Sequence, residues 1–191
     1  MNKLNTPNKL TLLRIVLVPA YMVFLLLPQI PHNYLWAAIM FSAAAYTDYL
    51  DGHLARKHNM VTNFGKFLDP LADKMLVTAA LICFVELGFI GSVVTVVIIT
   101  REFMVTSLRL VAAGAGNVIA AGMFGKVKTV MQIIVTVAIM LMHEAMVIGA
   151  LPAAFPHRIV SESMMWVVAA VTVASGVQYL WLNRRYINPE K

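Results

Sequence analysis

The stretch YLWAAIMFSAAAYTDYLDGHLARKHNMVTNFGKFLDPLADKMLVTAALICFVELG, residues 34–88, decides the fold. Two apolar runs flank a polar middle, and four carboxylates, Asp48, Asp51, Asp69 and Asp73, mark the places where the runs meet it. Within each pair the spacing is three or four residues, so on a helix both members project from one face. The whole chain has only nine acidic residues. Four of them gathered at the edge of apolar segments need a compensating charge, because partly dehydrated carboxylates otherwise protonate. Oxygen ligands with no cysteine nearby and no histidine at ligand spacing point to Mg2+ or Mn2+ rather than to a thiolate-type zinc site.

Outward from this hairpin the sequence stays apolar. Of 191 residues 60% are hydrophobic and 13% charged, and the mean hydropathy is +0.78, which excludes a soluble domain with a polar surface. Apolar runs near 12–30, 34–50, 70–90, 92–112, 129–151 and 163–182 are each long enough to cross about 30 Å of hydrocarbon at about 1.5 Å per residue. The predicted fold is an all-α integral membrane protein with six transmembrane helices. No linker, repeat or low-complexity tract divides the chain, so residues 1–191 read as a single membrane domain. Residues 1–11 read as a short N-terminal interfacial segment, with Thr11 able to cap the helix that follows. Pro19 predicts a kink in the first span. That span reads as retained rather than as a signal peptide, since Arg14 and Pro19 interrupt it and no small-x-small cleavage site follows.

Basic residues set the expected orientation. Lys3, Lys9 and Arg14 precede or open the first span; Arg56, Lys57 and Lys66 lie in the second connection; Lys126 and Lys128 in the fourth; Arg184, Arg185 and Lys191 in the tail. The first and third connections have none, and the fifth has only Arg158. The basic segments are therefore expected in the cytoplasm, with both termini and both aspartate pairs on that side. The net charge of +6 reads as contact with anionic headgroups and phosphorylated substrates. It is split among separate segments, which argues against a nucleic-acid module. Cys83 lies mid-span and reads as packing. The hairpin runs in along the second helix to Asp48 and Asp51 and out again from Asp69 and Asp73, so both pairs are expected at one depth.

A second polar cluster lies in the fourth span, where Arg101 and Glu102 fall near the middle and Arg109 two turns later. Charges at such depth cost roughly 2.5 to 3.5 kcal/mol on insertion scales and face a water-filled cavity or a partner. An Arg101–Glu102 ion pair is the plainer reading, although adjacent helical residues face each other poorly, and it leaves Arg109 unexplained. Lys126 and Lys128 open the fifth helix at the same level, either as membrane anchors or as members of one cavity with Arg101 and Arg109. Cations beside a carboxylate site suggest a substrate with its own phosphate. His53 and His58 read as loop histidines, His32, His143 and His157 as outer-side residues, and Glu144 and Glu162 as outer-rim groups.

From Asp48 to Asp73 the chain fits D-x2-D-G-x2-A-R-x8-G-x3-D-x3-D position for position, and in this it resembles the CDP-alcohol phosphotransferases. Three flanking motifs resemble the bacterial branch of that family that uses glycerol phosphate: Asn5-x-Pro7-Asn8-x-Leu10-Thr11-x2-Arg14, Arg101-Glu102-Phe103-x-Val105-Thr106-x-Leu108-Arg109 and Gly125-Lys126-x-Lys128-Thr129. The resemblance implies transfer of the phosphatidyl group of CDP-diacylglycerol to sn-glycerol 3-phosphate with release of CMP, in a homodimer of the bacterial cytoplasmic membrane. It implies two divalent ions, Mg2+ or Mn2+, on Asp48, Asp51, Asp69 and Asp73, with Asp73 also the base for the acceptor hydroxyl. Gly52, Ala55 and Arg56, with Asn8 and Thr47, would hold the CDP moiety, and Arg101, Arg109, Lys126 and Lys128 the glycerol phosphate. A cardiolipin or phosphatidylinositol phosphate synthase is a close alternative. An intramembrane prenyltransferase spreads its Asp-rich motifs over distant helices, and a cation-coupled transporter places carboxylates near the midplane of repeated halves.

Overall fold

The structure, a computed structural model, describes residues 6–58, 63–114, 122–152 and 154–184, without the side chains of 6–10, 48–58, 63–70 and 73. These residues form six helices: α1 (Thr6–Leu26), α2 (Asn33–His58), α3 (Asn63–Glu86), α4 (Ser92–Gly114), α5 (Met123–Val147) and α6 (His157–Leu182). The helices outrun the apolar runs that announce them. α2 continues seven residues beyond Asp51, and α3 begins six residues before Asp69. Both aspartate pairs thus lie inside helices, where the hydropathy reading puts them at helix ends. Hydropathy measures how much chain prefers an apolar surrounding, whereas Leu54, Ala55, Arg56 and Lys57 favour helix in any surrounding.

The N-terminus is corrected in the same way. α1 runs without a break from Thr6 through Pro19 to Leu26. Residues 6–10 are therefore the first turns of α1, rather than a separate interfacial segment. Thr11 lies within the helix, buried, and not at its cap.

α3 and α5 end in the same device. Gly88 (φ 69°) follows α3, with the Phe89 N–H donating to Phe84 O at 2.8 Å and the Gly88 N–H to Val85 O at 3.0 Å. Gly149 (φ 75°) follows α5, with Ala150 N–H to Ala145 O at 2.8 Å and Gly149 N–H to Met146 O at 3.1 Å. This paired 6→1 and 5→2 bonding needs a left-handed residue, which glycine adopts without a Cβ clash.

α1 packs on α2 and α3, α2 also on α5, and α6 on α4 and α5. The main core holds Tyr21, Phe41, Phe84, Ile98, Met140 and Met165. The Tyr21 hydroxyl donates to Leu76 O at 3.1 Å, which satisfies the polar tip of a fully buried ring. The outward faces are also apolar: Val16, Ile82, Val96, Leu110, Ile134 and Val177 are all more than half exposed. Among the described residues α5 and α6 are each long and apolar enough to cross a membrane, and Thr11–Leu26 is a shorter apolar helix.

Candidate functional site

Two stripes run along α4. Arg101, Val105, Leu108 and Ala112 are buried, at the spacing of one helix face, and that face meets α6. Arg101 Nη2 donates to Ser175 Oγ at 2.8 Å, and the Ser175 hydroxyl donates to Thr172 O at 3.1 Å. A Cβ on Gly176 would come 2.8 Å from Arg101 Cγ, so the absence of a side chain there makes the seat for the arginine stem.

Glu102, Thr106 and Arg109 form the second stripe and line a cavity of ≈ 660 Å³. Arg109 Nε donates to the Tyr179 hydroxyl at 3.2 Å, and its guanidinium lies 5.5 Å from the centre of that ring. Lys74 from α3 and Lys126 from α5 also line this cavity, as does Arg101. Among the described residues its wall therefore has four cations, Lys74, Arg101, Arg109 and Lys126, and one acid, Glu102.

Glu102 ties this wall together. Its Oε2 lies 2.9 Å from Lys74 Nζ, and its Oε1 lies 3.2 Å from Arg101 Nη1 and accepts from the Lys128 ammonium. The pairing of Arg101 with its neighbour therefore exists, within a larger cluster spanning α3, α4 and α5. A small adjoining cavity of ≈ 40 Å³, lined by Lys74, Glu102, Lys128, Thr129 and Gln132, continues it inward.

Three of the four cations named for the glycerol phosphate, Arg101, Arg109 and Lys126, thus meet on one cavity. Lys128 is buried against Glu102 instead. Lys126 and Lys128 are two residues apart, so about 200° of helix rotation separates them, and packing decides which of the two faces the cavity. Lys74 joins Arg101, Arg109 and Lys126 on the wall, and a lysine directly after Asp73 in an apolar run is a sequence signal for it. Ser175, Gly176 and Tyr179 left no signal, because their meaning depends on α6 packing beside α4.

Of the other predicted site residues, Thr47 is described, and its hydroxyl donates to Ala44 O of its own helix at 2.7 Å. Asn8 lies on α1, Asp48, Asp51, Gly52, Ala55 and Arg56 on α2, and Asp69 and Asp73 on α3; their side chains lie outside the described residues. Along the helices, Asp51 lies seven residues from the end of α2 and Asp69 six from the start of α3, while Asp48 and Asp73 are each ten residues from those ends. At about 1.5 Å per residue the two pairs lie at matching distances along their helices from His58 and Asn63. Among the described residues no group of three or more His, Cys, Asp and Glu could hold a metal ion, and Cys83 is buried in the apolar core.

Comparisons with known proteins give the family. The family model described as CDP-alcohol phosphatidyltransferase matches residues 4–178. The chain belongs to this family. A Bacillus subtilis protein named CDP-diacylglycerol--glycerol-3-phosphate 3-phosphatidyltransferase is 46% identical over 190 residues, covering 94% of this chain and 95% of that one. A Rickettsia bellii protein of the same name is 31% identical, covering 95% and 97%. A Mycobacterium tuberculosis protein named "Probable phosphatidylglycerophosphate synthase" is 39% identical, covering 92% and 80%. Within a phosphatidyltransferase family, a basic cavity beside an aspartate-bearing helix hairpin has a direct chemical reading.

Proposed function

We propose that this chain transfers the phosphatidyl group of CDP-diacylglycerol to sn-glycerol 3-phosphate, giving phosphatidylglycerophosphate and CMP for phosphatidylglycerol synthesis. One observation supports the choice of acceptor. Lys74, the residue after Asp73, shares a cavity wall with Arg101, Arg109 and Lys126, so the aspartate-bearing α3 borders a strongly cationic space. An alcohol with its own phosphate fits there. The acceptor phosphate is held by Arg101, Arg109, Lys126 and Lys74. Asp73 takes the proton of the attacking 1-hydroxyl. The new bond joins that oxygen to the phosphorus of the phosphatidyl group, and the bond to the CMP oxygen breaks.

The donor set of Asp48, Asp51, Asp69 and Asp73 fits two hard divalent cations, Mg2+ or Mn2+, because it offers carboxylate oxygens only. When bound, such ions supply charge neutralisation on the diphosphate. Gly52, Ala55 and Arg56, with Asn8 and Thr47, hold the CDP moiety.

The setting is a bacterial cytoplasmic membrane crossed by all six helices, with the active site at the cytoplasmic face and the working form a homodimer. Apolar α5 and α6 and the apolar outward faces support membrane residence, and the distribution of Lys and Arg supports the orientation. The test is CMP release in detergent micelles from CDP-diacylglycerol with glycerol 3-phosphate, inositol phosphate, phosphatidylglycerol or glycerol as acceptor. Release that requires glycerol 3-phosphate is expected. Release with phosphatidylglycerol or inositol phosphate instead would move the chain to a cardiolipin or phosphatidylinositol phosphate synthase.

A further inference from the structure

We propose that Glu102 is the positioning residue of the cationic cavity: a shared counter-ion that keeps Lys74 and Arg101 in the wall that meets the acceptor's phosphate, which rests on the acceptor reading above. The geometry is specific. One carboxylate takes Lys74 from α3 on Oε2 and both Arg101 from α4 and Lys128 from α5 on Oε1. The three cations differ in exposure, the Lys128 side chain at 3%, Arg101 at 9% and Lys74 at 22%. Lys128 is an internal charge neutralised where it stands, while Lys74 and Arg101 also line the open cavity.

Three cations around one anion leave a surplus of positive charge, so the cluster still draws in a phosphate. Without the carboxylate the cations repel one another in a poorly solvated space, and a flexible lysine stem is the first to move. Arg101 keeps its bond to Ser175 and its seat on Gly176, which limits how far its guanidinium moves. Because Lys74 follows Asp73 on α3, its contact with Glu102 also ties the cavity wall to the helix bearing the proposed base.

The test uses the purified full chain in micelles, with each substrate varied in turn. Glu102→Gln keeps the shape and removes the charge. It should raise KM for glycerol 3-phosphate about tenfold or more and leave KM for CDP-diacylglycerol within about twofold, and Glu102→Asp should recover part of the loss. Glu102→Gln combined with Lys128→Met removes the buried cation with its partner, so folding does not leave an unpaired charge inside. This double variant should still show the raised acceptor KM. Inorganic phosphate is the independent probe: its stabilisation of the wild type against heat should weaken in both variants. Equal changes in both KM values, or an unchanged acceptor KM with unchanged phosphate stabilisation, would overturn the positioning role. If the wild type releases no CMP with glycerol 3-phosphate, the acceptor reading fails, and the phosphate comparison still decides the role of Glu102.

Discussion

Glu102 and Glu144 are both carboxylates on helices that are otherwise largely apolar, and the fold uses them in opposite ways. Glu144, near the end of α5, is buried; its Oε1 lies 2.6 Å from His32 Nδ1, and its Oε2 accepts from the Leu35 N–H at 3.3 Å. It serves the first turn of α2, and the neighbouring His32 sits at φ 55°. Glu162 does the same for α4, accepting from the Gly91 N–H at 2.5 Å and from Trp166 Nε1 at 3.1 Å. Both acids, read from sequence as outer-rim groups, are tertiary caps: free N–H groups at a helix start attract a carboxylate, and the fold brings one from another helix. Rings pack beside these caps, with the His143 and Phe89 ring centres 3.4 Å apart. At the other end Glu102 meets three cations rather than backbone donors, and further cations stand unmatched by acids among the described residues lining a large cavity. A polar group satisfied within the fold contributes to stability, while an excess of one charge around a cavity is available to a ligand.

Breaking this contrast at its strongest point means removing a carboxylate from the aspartate hairpin. Asp73→Asn should lower turnover by a factor on the order of a thousand, as expected for loss of a general base, while the protein still inserts and melts as the wild type does. EDTA should silence the wild type, with Mg2+ or Mn2+ restoring it. CMP release that persists after thorough chelation contradicts the metal assignment.

Next in size, Arg109→Ala and Lys126→Ala should each cost about 1.5 to 3 kcal/mol in kcat/KM for glycerol 3-phosphate, typical of a bond to a charged group. The apparent affinity for CDP-diacylglycerol should hardly change. Steady-state kinetics with each substrate varied decides this, and damage confined to the liponucleotide would place the acceptor elsewhere.

Gly176→Ala sharpens the comparison, because it touches the cavity only through Arg101. Crowding the arginine stem should cost about 1 to 3 kcal/mol of stability if it must move, and the displaced guanidinium should weaken acceptor use. A normal acceptor KM alongside a lowered melting temperature would show that the seat serves packing alone.

The smallest effects belong to the end capped by Glu144 and Glu162. Glu144→Gln should lower stability by about 0.5 to 2 kcal/mol through a weakened cap and leave both KM values as they were. Arg158→Ala, an equal change of net charge to the cavity variants, should alter neither stability nor kinetics measurably. A kinetic phenotype at Glu144 would mean that the two ends are coupled.

The aspartate signature shows how far local spacing reaches. Three- and four-residue intervals fix Asp48 with Asp51 and Asp69 with Asp73 on one face of any helix. Hydropathy located six helices but misplaced their ends, because outside an apolar surrounding a helix is held by propensity and capping.

The sequence by itself determined the helical content, the hairpin, the family, and the presence of mid-helix charges that needed partners, since these follow from periodicity and from the cost of an unpaired charge in an apolar run. Only the tertiary structure decided which partner each charge took. Lys126 and Lys128 look alike in sequence, yet one lines the cavity and the other is buried against Glu102, because the rotation of α5 against α4 sends them to different sides. Glu102 and Glu144 likewise differ in what the packing of other helices brings within hydrogen-bond reach. Such reach is a distance of about 3 Å between groups far apart in the chain, and no local pattern encodes it.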